Sequence, residues 1–166
     1  MNEPEESLSE SSVTFVALGS TLFAALAAVA AMLSNHYSDS AVLDQIQASA
    51  QWGYYQSKGI KGNLLANKVD LLTSLGKLAN QSDLDKIAQY KKEQDDISES
   101  AREKERSSNL EMKHHVELAR GVSLFQLAIA VSAISILTRR RRLWHASMLA
   151  AGSGVFFLIH GLLLHG

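Results

Sequence analysis

Three apolar stretches, none containing Asp, Glu, Lys or Arg, govern what this chain can become: Val13–Leu33, Gly121–Leu137 and Leu143–Leu164. At 1.5 Å rise per residue each would reach roughly 25–33 Å as a helix, enough to cross a hydrocarbon core of about 30 Å. Everything between the first two stretches is dense in charge, amide and hydroxyl groups. The expected fold is therefore an all-α membrane protein. Three transmembrane helices are expected at 13–33, 121–137 and 143–164, with a long extramembrane antiparallel helical hairpin over 34–120.

Charge is partitioned along the chain. Glu3, Glu5, Glu6 and Glu10 give residues 1–12 the character of an acidic disordered tail, whereas Arg139, Arg140, Arg141 and Arg142 make the loop 138–142 purely basic. Four arginines in so short a loop stay on the cytoplasmic side of a membrane, where they also meet anionic lipid headgroups. Alternation then puts the N-terminus inside, and residues 34–120 and the C-terminus outside, on the periplasmic or extracellular face. Ala28-Val29-Ala30 resembles a signal-peptidase site. The acidic leader before it, however, is the reverse of a signal n-region, and a retained anchor is the better reading. A net charge of −1 argues against a nucleic-acid partner. The absence of cysteine excludes disulfides and thiolate chemistry.

Pro4 is the only proline, so helix can run from Val13 to Asn80 and again from Ser82 to Leu137. The break is expected near 80–83, with Ser82 as N-cap and Asp83 and Asp85 in the first turn. Leu43, Ile46, Ala50 and Tyr54, then Leu64, Leu65, Val69, Leu71, Leu72, Leu75 and Leu78, recur in steps of three and four, as a coiled-coil arm requires. Leu84, Ile87, Tyr90, Ile97 and Ala101 continue the pattern in the return arm. Gly53, Gly59 and Gly62 cluster in the outgoing arm, which is the longer of the two. Either a bend near Lys58–Asn63 or a longer loop at the tip must absorb the difference.

The densest local pattern is Gln45 to Lys61, with Trp52, Tyr54 and Tyr55 flanked by amides. These aromatics form a partner interface, or pack on the return arm or on a second subunit. Together with Ser34-Asn35-His36, His114-His115, Leu124–Ala130 and Thr138–Trp144, this stretch resembles the bacterial domain-of-unknown-function 4337 family over nearly the whole chain after residue 12. The resemblance implies a bacterial inner membrane and a one-span, helical-middle, two-span order. It brings no activity, cofactor or catalytic residues.

His36, His114 and His115, with Glu111 one turn before His115, are candidate metal ligands or groups titrating near pH 6; ordinary interfacial histidines are the simpler reading. Within the spans, Ala24, Ala28 and Ala31, then Ala128, Ser132 and Ser135, then Ala146, Ala150 and Gly154, form small-residue stripes suited to close helix contact. Gln126 and His160 are the polar groups expected to join helices by hydrogen bonds. No nucleophile–base pair, phosphate loop or metal-ligand run appears, which argues against an enzyme and implies no cofactor. The favoured function is a membrane scaffold that self-associates as a homo-oligomer, with the lipid bilayer and an unidentified protein as further partners. The alternatives are an oligomeric pore or transport accessory, and a metal- or pH-responsive sensor.

Overall fold

A computed structural model describes residues 10–164, with side chains from residue 13. It contains three helices: α1 (Glu10–Ser74), α2 (Gln81–Thr138) and α3 (Arg141–Leu163). Each carries a stretch long and apolar enough to cross a membrane, consistent with a multi-pass membrane protein. Most of the acidic tail lies outside the described residues, but Glu10, Ser11 and Ser12 belong to α1 rather than to a disordered segment. The basic loop is also shorter than expected, because Arg141 and Arg142 already form the first turn of α3.

The chain divides into two units. The first holds the described residues up to Asp39 together with those from Leu110 onward. Its core is Phe23, Ala27 and Ala30 from α1, Phe125 and Ala128 from α2, and Ala151 from α3. Small side chains dominate because no hydrophobic force draws helices together in lipid; close backbone approach and dispersion must do so instead. At Gly121 an added Cβ would lie 3.2 Å from the Gly154 carbonyl oxygen, so α2 and α3 meet there almost backbone to backbone. Outward, Phe15, Leu18, Met32, Leu127, Leu149 and Phe156 are exposed, which suits acyl chains and not water.

The stripes facing this core differ from those expected in two of the three spans. Ala128, Ser132 and Ser135 are buried, as their spacing implies. In α1, however, Phe23, Ala27 and Ala30 face inward, while Ala24 and Ala28 are exposed. In α3 the buried set is Ser147, Ala151, Gly154 and Gly161; of the expected stripe Gly154 is buried and Ala150 packs against the core, and only Ala146 is exposed. In a helix rich in alanine throughout, small-residue spacing fits several faces equally, and the large neighbour Phe23 selects the one that packs.

The second unit, Ser40–Asn109, consists of the adjoining parts of α1 and α2. Its cross-helix contacts run antiparallel: Ala41 with Ser108, Asp44 with Lys104, Trp52 with Glu105, Lys58 with Glu93, and Lys68 with Asp83. Ala41 and Ala48 in α1, and Ala101 and Ser108 in α2, are buried at heptad spacing. That is the period of a left-handed supercoiled pair. The inward face is therefore not the Leu43–Ile46–Ala50–Tyr54 stripe, all four of which are exposed.

No break occurs at Lys58–Asn63. Gly59 instead lets the Gln94 side chain lie across α1, where a Cβ would come within 2.7 Å of Nε2. The loop at the tip takes up the length difference, since α1 stops at Ser74. Gly76 has φ +69, a left-handed conformation open to glycine at little cost. Lys77 N donates to Leu72 O and Gly76 N to Thr73 O, closing the helix in a Schellman motif. The N-cap of α2 is Asn80 rather than Ser82: its Oδ1 accepts from Ser82 N at 3.1 Å, and its carbonyl accepts from Asp83 N at 2.9 Å.

Candidate functional site

Two groups of side chains gather the polar and aromatic chemistry singled out in the sequence, one in each unit. In the second unit, Trp52 Nε1 donates to Glu105 Oε1 at 2.8 Å, and its ring meets Tyr55 edge-on with centroids 5.5 Å apart. Gln94 Nε2 donates to the Tyr55 carbonyl at 3.2 Å. One turn on, the Lys58 ammonium lies 5.2 Å from the centres of both the Tyr54 and Tyr90 rings while pairing with Glu93. A single cation thus links an aromatic face from each helix with a carboxylate. Trp52 and Tyr55 are half-buried by these ties, and Tyr54 remains 53% exposed.

Electrostatics in this unit follow from the ion pairs. The Lys58 ammonium, together with an amide hydrogen bond from Gln89, holds the Glu93 carboxyl below its usual range; Glu93 in turn raises Lys58. Asp44 is lowered by a hydrogen bond from Ser107 and by its bond from Lys104. These pairings join different helices. Sequence reading favours neighbours three or four apart on one helix, so it does not find them; the alternation of Lys and Asp or Glu on facing arms is the signal that would.

In the first unit His114 and His115 act as structural donors. His115 Nδ1 faces the Ser34 carbonyl at 2.9 Å, and because a carbonyl only accepts, that nitrogen carries the proton. The Ser34 hydroxyl donates back to the His115 carbonyl at 3.2 Å. His114 Nδ1 donates to the Gly161 carbonyl at 2.6 Å. Gly161 lies in the last turn of α3, where carbonyls have no partner within the helix, so His114 caps α3 from α2. Its ring stacks on Tyr37 with centroids 4.7 Å apart, and Tyr37 meets His36 at 5.8 Å. Glu111 is half-buried one turn before His115. Among the described residues no three His, Asp or Glu side chains are grouped to hold a metal ion.

The polar groups expected to join the spans are placed differently. Gln126 and His160 are exposed, although His160 Nδ1 stands 3.8 Å from Glu117, which Arg120 binds at 2.6 Å. Serines make the contacts instead. Ser20 and Ser132 share a hydroxyl–hydroxyl hydrogen bond, and Ser135 Oγ donates to the Arg140 carbonyl at 3.1 Å. Ser132 and Ser135 are fully buried with these partners. At the turn between α2 and α3, Arg139 takes a left-handed φ of 53. Arg139, Arg140 and Arg142 are exposed, with Arg141 half-buried.

A family model described as a domain of unknown function (DUF4337) matches residues 12–164. No curated protein and no solved structure matches.

Proposed function

The chain belongs to the DUF4337 family, whose function is unknown, and we propose that it is a non-enzymatic membrane scaffold that self-associates. In this reading α1, α2 and α3 cross the inner membrane of a bacterial cell. The basic turn Arg139–Arg142 lies on the cytoplasmic side against anionic headgroups. Residues 34–120 form a helical hairpin on the opposite face, with Trp52, Tyr54 and Tyr55 near the contact with other proteins.

One observation carries the reading: a charged, internally tied pair of helical arms, Ser40–Asn109, sits in the chain between two apolar spans and still exposes large aliphatic side chains. Exposed apolar area on an arm so rich in charge suits protein contact better than solvent. A water-filled lumen lined by Gln126, Ser132 and Ser135, as a pore would need, is disfavoured because both serines are bound within the fold. The test is the mass of the purified chain in nanodiscs, by light scattering or mass photometry. A defined multiple of the 18.1 kDa chain is expected. A strict monomer at micromolar concentration removes the scaffold reading. A reporter fused at Gly76 should stay silent in the cytosol; a cytosolic signal reverses the sidedness.

A further inference from the structure

Within Ser40–Asn109, the α1 arm is apolar on two opposite faces. One face is closed by α2 through Ala41 and Ala48. The other carries Leu43, Ile46, Ile60, Leu64 and Leu71, each 58–71% exposed. These residues fall on alternating three- and four-residue steps whose remaining positions are Ala50, Gly53, Ser57 and Asn67. Nine successive positions of a 3.5-residue period on one face define a coiled-coil stripe, and α2 leaves it uncovered apart from the half-buried Ser57. We propose that this outer stripe of α1 is the surface on which a second copy of the chain docks, parallel and in register, α1 against α1. The proposal rests on the self-association reading above and gives it an address.

Three features commit the stripe to that occupant. The first is period: a 3.5-residue stripe is matched by another helix of the same period, and the chain supplies one. The second is area. Five aliphatic side chains at this exposure present on the order of 600 Å² per copy, so two copies cover on the order of 1,200 Å², the lower edge of a stable specific interface. The third is complementarity of the in-register pairing. Ala50, Gly53 and Ser57 would meet their own counterparts, letting the backbones approach closely at the middle of the stripe. Asn67 would meet Asn67, a polar pair able to hydrogen-bond across the axis and fix register. The antiparallel alternative that keeps the small residues together sets Asn67 against Leu43 and leaves the amide unsatisfied. Along the flanks, Gln56 of one copy falls beside Lys61 of the other and Ser49 beside Tyr54, so no like charges face each other there.

The chain contains no cysteine, so single-cysteine variants report contacts without background. Ser57→Cys and Asn67→Cys, each in the full chain in nanodiscs under mild oxidation, are expected to give covalent dimers. Glu99→Cys, on the charged part of α2, is expected to give none. Equal cross-linking at Glu99→Cys, or cross-linking only in the Leu43→Cys/Asn67→Cys double variant, overturns the in-register pairing. Ile60→Glu/Leu64→Glu, checked for unchanged helix content by circular dichroism, is expected to weaken association on the order of 100-fold, the scale of interface hot spots. A wild-type oligomer that keeps its mass in this double variant and fails to cross-link at either stripe position overturns the docking surface and leaves the scaffold reading standing. A monomeric wild type removes both.

Discussion

In the first unit α1 meets α2 through Ser20 and Ser132, and through Ser34 and His115, around a core of Ala27, Ala30 and Ala128. In the second, the same two helices meet through Lys58 and Glu93, Lys104 and Asp44, and Trp52 and Glu105. Both interfaces place alanines at the closest approach, so the geometric requirement is shared. What differs is the polar chemistry around it. Hydroxyls and backbone carbonyls, neutral and short, suit a region flanked by apolar side chains, where a charge would be costly. Ion pairs and cation–π contacts suit an arm bathed in water, where a charged head remains solvated along its free edge. The contrast teaches that one helix pair can change its adhesive along its length.

The chain has two tryptophans, and they fall one in each unit: Trp144 in the first, Trp52 in the second. Trp144 stacks on Phe23 with centroids 6.2 Å apart. Single-tryptophan variants therefore report each unit separately, and they make the contrast testable. The largest effect is expected for Gly121→Val. Its Cβ would sit 3.2 Å from the Gly154 carbonyl and 3.5 Å from the Leu158 nitrogen, backbone atoms that cannot rotate away. Forcing α2 and α3 apart should cost about 3 kcal/mol. Steric-trap or denaturant unfolding, followed through Trp144 in a Trp52→Phe background, checks this. Unchanged stability would mean that the first unit is not held by backbone approach.

Next comes Ala48→Leu, at a position with no exposure. Three added heavy atoms between the arms should destabilise the second unit by about 2 kcal/mol. Trp52 emission, read in a Trp144→Phe background, should shift red. In the companion Trp52→Phe background, Trp144 should not respond; a matching response there would show that the units do not melt independently. Third, Trp52→Phe alone keeps the aromatic body but leaves Glu105 without its indole donor. About 1 kcal/mol should be lost, seen as faster amide exchange in the arms alone.

How much of this was legible beforehand varies with the physics involved. The three helices followed from uninterrupted apolar runs and the lack of proline after Pro4, because length and hydropathy alone decide that a segment suits lipid. The buried stripe of α2 was legible, since Ala128, Ser132 and Ser135 recur in steps of four and three on one face of the span. The stripe of α1 was not, because alanine recurs on every side and only the fit of Phe23 against Phe125 and Ala128 distinguishes one face. The same ambiguity misplaced the arm contact. Leu43 and Ile46 carry the larger hydrophobic signal, yet the closely approaching pair selects Ala41 and Ala48. The tip was misjudged for a different reason: Gly76 at the C′ position, followed by Asn80, is a sufficient stop-and-start signal, but Ser82 offered a competing cap. Among the candidate site residues, the sequence placed His114 and His115 just before span two but could not show that both would be spent on backbone carbonyls. Nothing in their spacing encodes the C-terminal turn of α3.

The smallest effect is expected from acid, and it bears directly on the contrast between the two interfaces. Glu93 and Asp44 are depressed from 4.5 and 3.8, Glu93 chiefly by Lys58 and Asp44 chiefly by Ser107 with Lys104 beside it. A carboxyl that binds its proton less readily when folded stabilises the fold above its unfolded value, and that contribution disappears as pH falls through the folded one. The window therefore opens below about pH 4.5 and closes beneath the lowered values. Lys58 is raised from 10.5 by Glu93, so its share is complete below that value and disappears only as pH climbs through the higher folded one. Between the two limits the second unit should show flat stability. On acidification toward pH 3, Trp52 emission should begin to report opening of the arms while Trp144 holds steady, and Lys58→Met should flatten the Glu93 part of the response. Half-molar salt should shrink it only slightly, because Lys58, Glu93 and Asp44 are half-buried between the helices and such pairs are screened less than exposed ones. If Trp144 moved first on acidification, neutral hydroxyl contacts would not be what holds the first unit, and the division of labour between the two interfaces would be wrong.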